Sequence, residues 1–216
     1  MSPAQTRGTA KSVRSPLVAV AGESRNDRAV VIALLGSLLP GQSKIAPING
    51  DVSLRDATGQ NLVQRVRKLM QFANAIAVKE DRPLGGLVVH FDMDAPADSA
   101  YTLVRTRVGA ELHKQGPANT ALALAAEETE AWLLLFPSAF PKVRSSWRIP
   151  RQLEGRDHGR TKDPKEVLQR GLGKPTYRED DSPAVMQAAL DLAVAPHSAT
   201  GTNRSYSDFL ADLDAW

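Results

Sequence analysis

The chain contains no cysteine, which excludes disulfide frameworks, thiolate zinc sites and cysteine nucleophiles together. The absence suits a reducing compartment and leads to the expectation of a cytoplasmic protein. No apolar run approaches the roughly 20 residues needed to cross a bilayer, so no membrane partner is expected. Met1 to Ser15 carries basic residues but no hydrophobic stretch, and reads as a disordered basic lead rather than a secretory signal. A glycine-rich phosphate loop is also missing, so ATP hydrolysis linked to this protein must come from a separate chain. Strong charge of one sign is lacking too. A net charge of +3 does not by itself mark a nucleic-acid binder.

What is present is enough for one α/β domain: 216 residues, 42% of them apolar. Short β-rich runs at 16–22, 43–48, 85–91 and 119–125 alternate with helical periodicity at 26–39, 59–78, 97–114 and 127–136. This alternation predicts a Rossmann-like, mostly parallel sheet flanked by helices. Residues 137–162 are irregular and basic, and three short helices are expected at 164–170, 183–193 and 206–213. The chain therefore divides into a lead (1–15), an α/β core (16–136) and a helical extension (137–216) packing on that core.

Carboxylates fall where the strands end. Asp92 and Asp94 follow the apolar run Gly85 to Phe91, and the carboxyl ends of strands form the ligand-binding edge of an open α/β sheet. Two acids there repel unless a cation neutralises them, and hard oxygen donors suit Mg²⁺ or Mn²⁺. The alternative is a turn, with Asp94 opening it and Asp92 capping amides. Glu23 follows Gly22 at the end of the first strand, where the glycine permits a sharp turn; as general base or ligand it would join the same edge. Asp98, near the next helix start, is either a further ligand or a dipole partner. Glu127, Glu128 and Glu130 crowd another helix start, which admits helix-dipole capping or a second ion. Lys162 and Lys165 flank Asp163-Pro164, and either would offset charge on a phosphoryl group or simply end a solvated helix. Arg144, Arg148, Arg151, Arg156, Arg160, Lys162 and Lys165 form a basic stretch able to track phosphates. His90 reads as a core histidine. Trp132, Trp147 and Trp216 are candidates for base stacking, with Trp132 read as core.

A glutamate in a strand-end glycine turn followed by a DxD after a hydrophobic strand resembles the Toprim fold. The later segments are similar to small stand-alone bacterial Toprim proteins related to the OLD and RloB-like nucleases. Glu128-Thr129-Glu130-Ala131-Trp132-Leu133-Leu134, Asp163-Pro164-Lys165 and Ser205-Tyr206 to Leu210 carry that likeness. The chain departs from it at Leu135-Phe136-Pro137 and in its Ala-Gly-Glu-Ser turn. The resemblance implies a Mg²⁺- or Mn²⁺-dependent nuclease acting on DNA or RNA, often beside a separately encoded ATPase in anti-phage defence. Glu23, Asp92, Asp94, Glu128 and Glu130 would serve the metals, with Lys165 beside them. Two other readings stand: a DxD phosphatase with Asp92 as nucleophile, and a non-catalytic metal-binding module regulating a partner ATPase. Self-association is left open by the sequence.

Overall fold

The structure, a computed structural model, describes residues 14–39, 41, 43–50 and 53–216. The expected basic lead lies outside them apart from its last two residues, where Arg14 pairs with Asp81 at 3.0 Å and the Ser15 carbonyl accepts from Arg82. The core runs β1 (Leu17–Ala21), α1 (Arg25–Leu38), β2 (Lys44–Pro47), α2 (Gly59–Lys79), β3 (Leu84–Asp92), α3 (Ser99–Gln115) and β4 (Asn119–Ala125). Every pairing is parallel and the strand order is β2-β1-β3-β4. The fold is the expected Rossmann-like sheet with helices on both faces.

That order contains a reversal. The chain leaves β1 for β2 on one side, then crosses back over β1 to reach β3 on the other. Since such crossovers are right-handed, a reversal sends the connecting helices to opposite faces. Side-chain alternation agrees. Val18, Val20, Val88, Ala121 and Ala123 pack with α1 residues Val30, Val31, Leu34 and Leu35. Leu17, Ala19, Leu87, Val89, Phe91, Leu122 and Leu124 pack with Leu62, Val66 and Leu69 of α2 and Val108 and Leu112 of α3. With both faces buried, β1 and β3 need no polar side, which is why their sequences read as unbroken apolar runs.

The remaining helices are α4 (Glu130–Leu133), α5 (Phe140–Val143), α6 (Pro164–Gly171), α7 (Ser182–Asp191) and α8 (Arg204–Asp214). Val185 and Met186 of α7 and Tyr206 and Phe209 of α8 share one buried cluster with α1 and the sheet. The extension thus completes the α1 face. It also closes the β4 edge: Asp212 accepts from the Leu122 amide at 2.9 Å, and Arg105 donates to the Leu122 carbonyl at 2.9 Å. An edge strand capped in this way presents less backbone to a stray partner.

The helix expected over 127–136 is a correction. Only Glu130–Leu133 is α-helical, and the flanking bonds are tight i→i+3 turns, such as Trp132 to the Thr129 carbonyl and Phe136 to that of Leu133. Residues Ala131 to Phe136 are all buried, so no solvent face imposes a helical period.

The serine of the expected Ser-Tyr helix has a structural task. Ser205 Oγ accepts from the Ala126 amide and from Trp132 Nε1, each at 2.9 Å, while Trp132 stacks on Phe209. Ser205→Ala would leave two buried N–H groups without an acceptor. A loss on the order of 2–4 kcal/mol is expected, read as a lower denaturant midpoint with an unchanged m-value.

Candidate active site

β1 and β3 flank the point where the strand order reverses, and in open α/β sheets the crevice beyond such strand ends is where ligands bind. Three acidic segments arrive there on adjacent strands: Glu23 after β1, Asp92 and Asp94 at the end of β3, and Glu127 to Glu130 after β4. The chain bends at Glu23 and Ser24 directly after Gly22, without a left-handed angle at the glycine. What it supplies is room: a Cβ there would stand 2.7 Å from Arg28 Cγ, and Arg28 donates to the Gly22 carbonyl at 2.7 Å.

Asp92 is the centre of the arrangement. Alternation along β3 turns it, like Val88 and His90, to the α1 face. Its Oδ1 accepts from the Thr129 amide and from Thr129 Oγ1, each at 3.1 Å. Both donors converge on one oxygen, leaving Oδ2 without a protein donor among the described residues. Burial pushes its carboxyl well above the usual range, and the charges of Asp27, Glu130 and Glu23 push the same way against the Thr129 bonds. Asp27, buried in the first turn of α1, was not singled out in the sequence. Its sole signal was the i,i+4 spacing to Glu23 across a helix start.

His90 supports Asp92 from below. Its Nε2 lies 2.8 Å from Thr129 Oγ1 and 3.6 Å from Asp92 Oδ1. When Asp92 is ionised and takes the single Thr129 proton, Thr129 accepts from His90 Nε2–H. That fixes the tautomer and leaves Nδ1 buried without a donor. Burial lowers the imidazole pKa despite Asp27, so the histidine sits neutral, a core residue as read.

Glu130 is 2% exposed. Tyr177 and Ser182 donate to its Oε1 at 3.2 and 3.4 Å. Its carboxyl is pushed up to about 7, first by burial, with Glu128 and Asp27 adding repulsion and Lys165 opposing. The folded protein therefore binds a proton here that the unfolded chain releases near pH 4.5. The contribution of this group to the stability of the cation-free protein falls as pH rises from about 4.5 to 7 and levels beyond. The fall from this group amounts to at most about 3 kcal/mol. Glu130→Gln is expected to flatten the slope, which urea unfolding at pH 5, 6 and 7.5 would measure.

Two of the expected ligands rest on basic partners. Glu128 binds both ends of Lys165, accepting from its amide at 3.0 Å and lying 3.6 Å from its Nζ. Lys165, which also meets Glu179 at 3.4 Å, is thereby brought to the site. Asp94 adopts a left-handed backbone, φ 52°, as does Glu127 at 58°. Each non-glycine residue held so costs about 1–2 kcal/mol. Ladder bonds fix them: Asp94 donates to the Glu127 carbonyl, and Glu127 to that of Ala95. The turn puts the Asp94 carboxylate on Arg55, whose Nη1 also lies 3.5 Å from the Asp92 carbonyl; Arg55 is a residue the sequence reading passed over. Asp98 is an N-cap, accepting from the Ala100 and Tyr101 amides.

The basic stretch divides. Gly159 accepts from the Ala97 amide, so the loop bearing Arg156, Arg160 and Lys162 lies beside the acidic edge; all three are exposed. Arg144 reaches Asp181 at 4.0 Å. Arg148 turns back onto the Ser145 and Trp147 carbonyls, and Arg151 is exposed farther along. Trp132 and Trp147 are fully buried and unavailable for base stacking.

Among the described residues no group of three or more His, Asp or Glu side chains is arrayed ready to hold one metal ion. The donor chemistry nevertheless fits a hard divalent cation: clustered carboxylates, an Asp92 oxygen lacking a donor, and two lysine or arginine partners neutralising the acids meanwhile. Searches against protein-family models, curated proteins and solved structures find no match to the chain.

Proposed function

We propose that this protein is a Mg²⁺- or Mn²⁺-dependent nuclease of Toprim type, hydrolysing phosphodiester bonds of DNA or RNA. One observation carries the reading. Asp92 ends the strand at the switch point within the field of Asp27, Glu130 and Glu23, and no lysine or arginine pairs with its carboxylate among the described residues; Arg55 reaches only its backbone carbonyl. Such a cluster at a ligand-binding edge favours a cation from solution.

Glu23, Asp92 and Glu130 would hold the ion, with Glu128 and Asp94 joining once released from Lys165 and Arg55. The cation would supply Lewis acidity toward a phosphoryl oxygen and a more acidic water. Thr129 and neutral His90 hold Asp92 in one orientation. Glu23, raised by burial and by Asp94 and Asp27 against Arg55 and the Asp92 amide, is poised to take a proton from an attacking water. Lys165 carries its charge to the same edge, where negative charge would build on the phosphate. Arg156, Arg160 and Lys162 flank that edge and would guide a polynucleotide backbone. A separately encoded ATPase and a defence role belong to the same proposal, on the strength of the segment resemblance.

Purified protein with Mn²⁺ is expected to nick plasmid, single-stranded DNA or tRNA while leaving p-nitrophenyl phosphate intact. Monoester hydrolysis through a phospho-aspartate would favour the phosphatase. Cation binding with no turnover of any substrate would favour the regulatory module.

A further inference from the structure

The opposite flank of the β3 terminus holds a second feature, which shares Asp94 and its partner Arg55 with the carboxylate cluster. Met93 faces the α2–α3 side, and beside it lies a cavity of about 470 Å³ lined by Arg55, Asp56, Met93, Asp94, Val104 and Arg107. That volume falls within the range of small-ligand sites. Two of its six lining residues are arginines. Arg107 Nη2 donates to the Arg55 carbonyl at 2.6 Å, tying the two residues together, while Arg107 Nε is buried and has no acceptor among the described residues. A buried N–H left bare is destabilising, and each such group calls for a missing partner. Arg55 holds Asp94, stands 3.8 Å from Asp56 and is only 31% exposed.

We propose that this cavity is an oxyanion subsite in which Arg55 and Arg107 together bind a phosphate group, Arg55 leaving Asp94 to do so. A guanidinium fork matches two phosphate oxygens, and turning the Arg107 side chain toward the cavity would give its buried Nε the acceptor it lacks. Met93 and Val104 add apolar surface to an otherwise polar, open lining. Asp94 and Asp56, with Glu23 nearby, oppose an anion, and Arg55 leaving Asp94 adds to that opposition. The exchange has a consequence: Asp94 is set free beside Asp92 just as the phosphate arrives, so anion and cation each favour the other's binding. That the phosphate belongs to a polynucleotide rests on the nuclease reading; the anion site itself does not.

The test is calorimetric titration, in cation-free buffer at constant ionic strength, of inorganic phosphate and of a short oligothymidylate. Arg55→Gln and Arg107→Gln should each weaken binding about tenfold or more. Asp94→Asn should tighten it severalfold, because it releases Arg55, an effect a purely structural ion pair would not produce. Arg107→Lys, keeping the charge, should recover part of the loss and guards against misfolding as the cause. Oligothymidylate binding far tighter than phosphate with the same losses identifies a backbone phosphate, while equal binding identifies a free anion. Affinity unchanged in the arginine variants, weakened in Asp94→Asn, or undetectable for both ligands would overturn the proposal. A protein that binds phosphate through Arg107 but never cleaves nucleic acid keeps the subsite and loses the nuclease; cleavage with phosphate affinity indifferent to both arginines does the reverse.

Discussion

Asp92→Asn is expected to make the cation-free protein more stable and the cation-loaded protein inactive. Asparagine keeps the oxygen that receives both Thr129 donors, so the local geometry survives. What disappears is a charge buried opposite Asp27, Glu130 and Glu23. Relief of that repulsion should raise the Tm, by about 2–4 °C per kcal/mol in a chain of this size. In wild type, Mn²⁺ should raise the Tm further by mass action, and in Asp92→Asn that rise should vanish. Nuclease turnover should drop by about 10²–10³-fold or more, the range seen when one preorganised group that stabilises developing charge is removed. An unaltered Mn²⁺ shift in the variant would mean that the aspartate serves only to cap Thr129.

Neutralising Arg156, Arg160 and Lys162 together should leave the Mn²⁺ shift intact and cripple substrate capture. All three are exposed, and among the described residues folding loses only the 3.5 Å Arg160–Asp157 pair, a surface contact of small worth. If each meets a phosphate of a single strand, the slope of log affinity against log salt should become shallower by about 2. Affinity at low salt should fall by at least about tenfold. Fluorescence anisotropy over a salt series separates this from a fold defect, which would lower affinity at every salt concentration with the slope unchanged.

The strands and the acids that close them were legible because burial on both faces erases alternation, and the run stops where the chain meets solvent. Leu84–Asp92 and Asn119–Ala125 fall within a residue or two of the expected runs for that reason. Pro164 and the Ser-Tyr segment marked α6 and α8 comparably well. Residues 127–136 misled because an entirely buried apolar segment carries no period from which to tell a helix from a chain of tight turns. Arg55 was invisible for a different reason. It lies between β2 and α2 with no periodic context, and only tertiary folding brings it to Asp94. Asp27 hid inside an amphipathic helix, where a first-turn acid is ordinary. The Asp-x-Asp pair exposes the limit of spacing arguments. Strand alternation would align the two side chains, but the left-handed angle at Asp94 breaks the alternation at the residue that mattered.

The most direct test of the central claim is a Mn²⁺-soaked crystal measured for anomalous scattering. The account predicts an ion at the carboxyl end of β3, bound by Asp92 with Glu23 or Glu130. A map at saturating Mn²⁺ with no peak there, Asp92 still bonded to Thr129 alone and Lys165 still on Glu128, would contradict it.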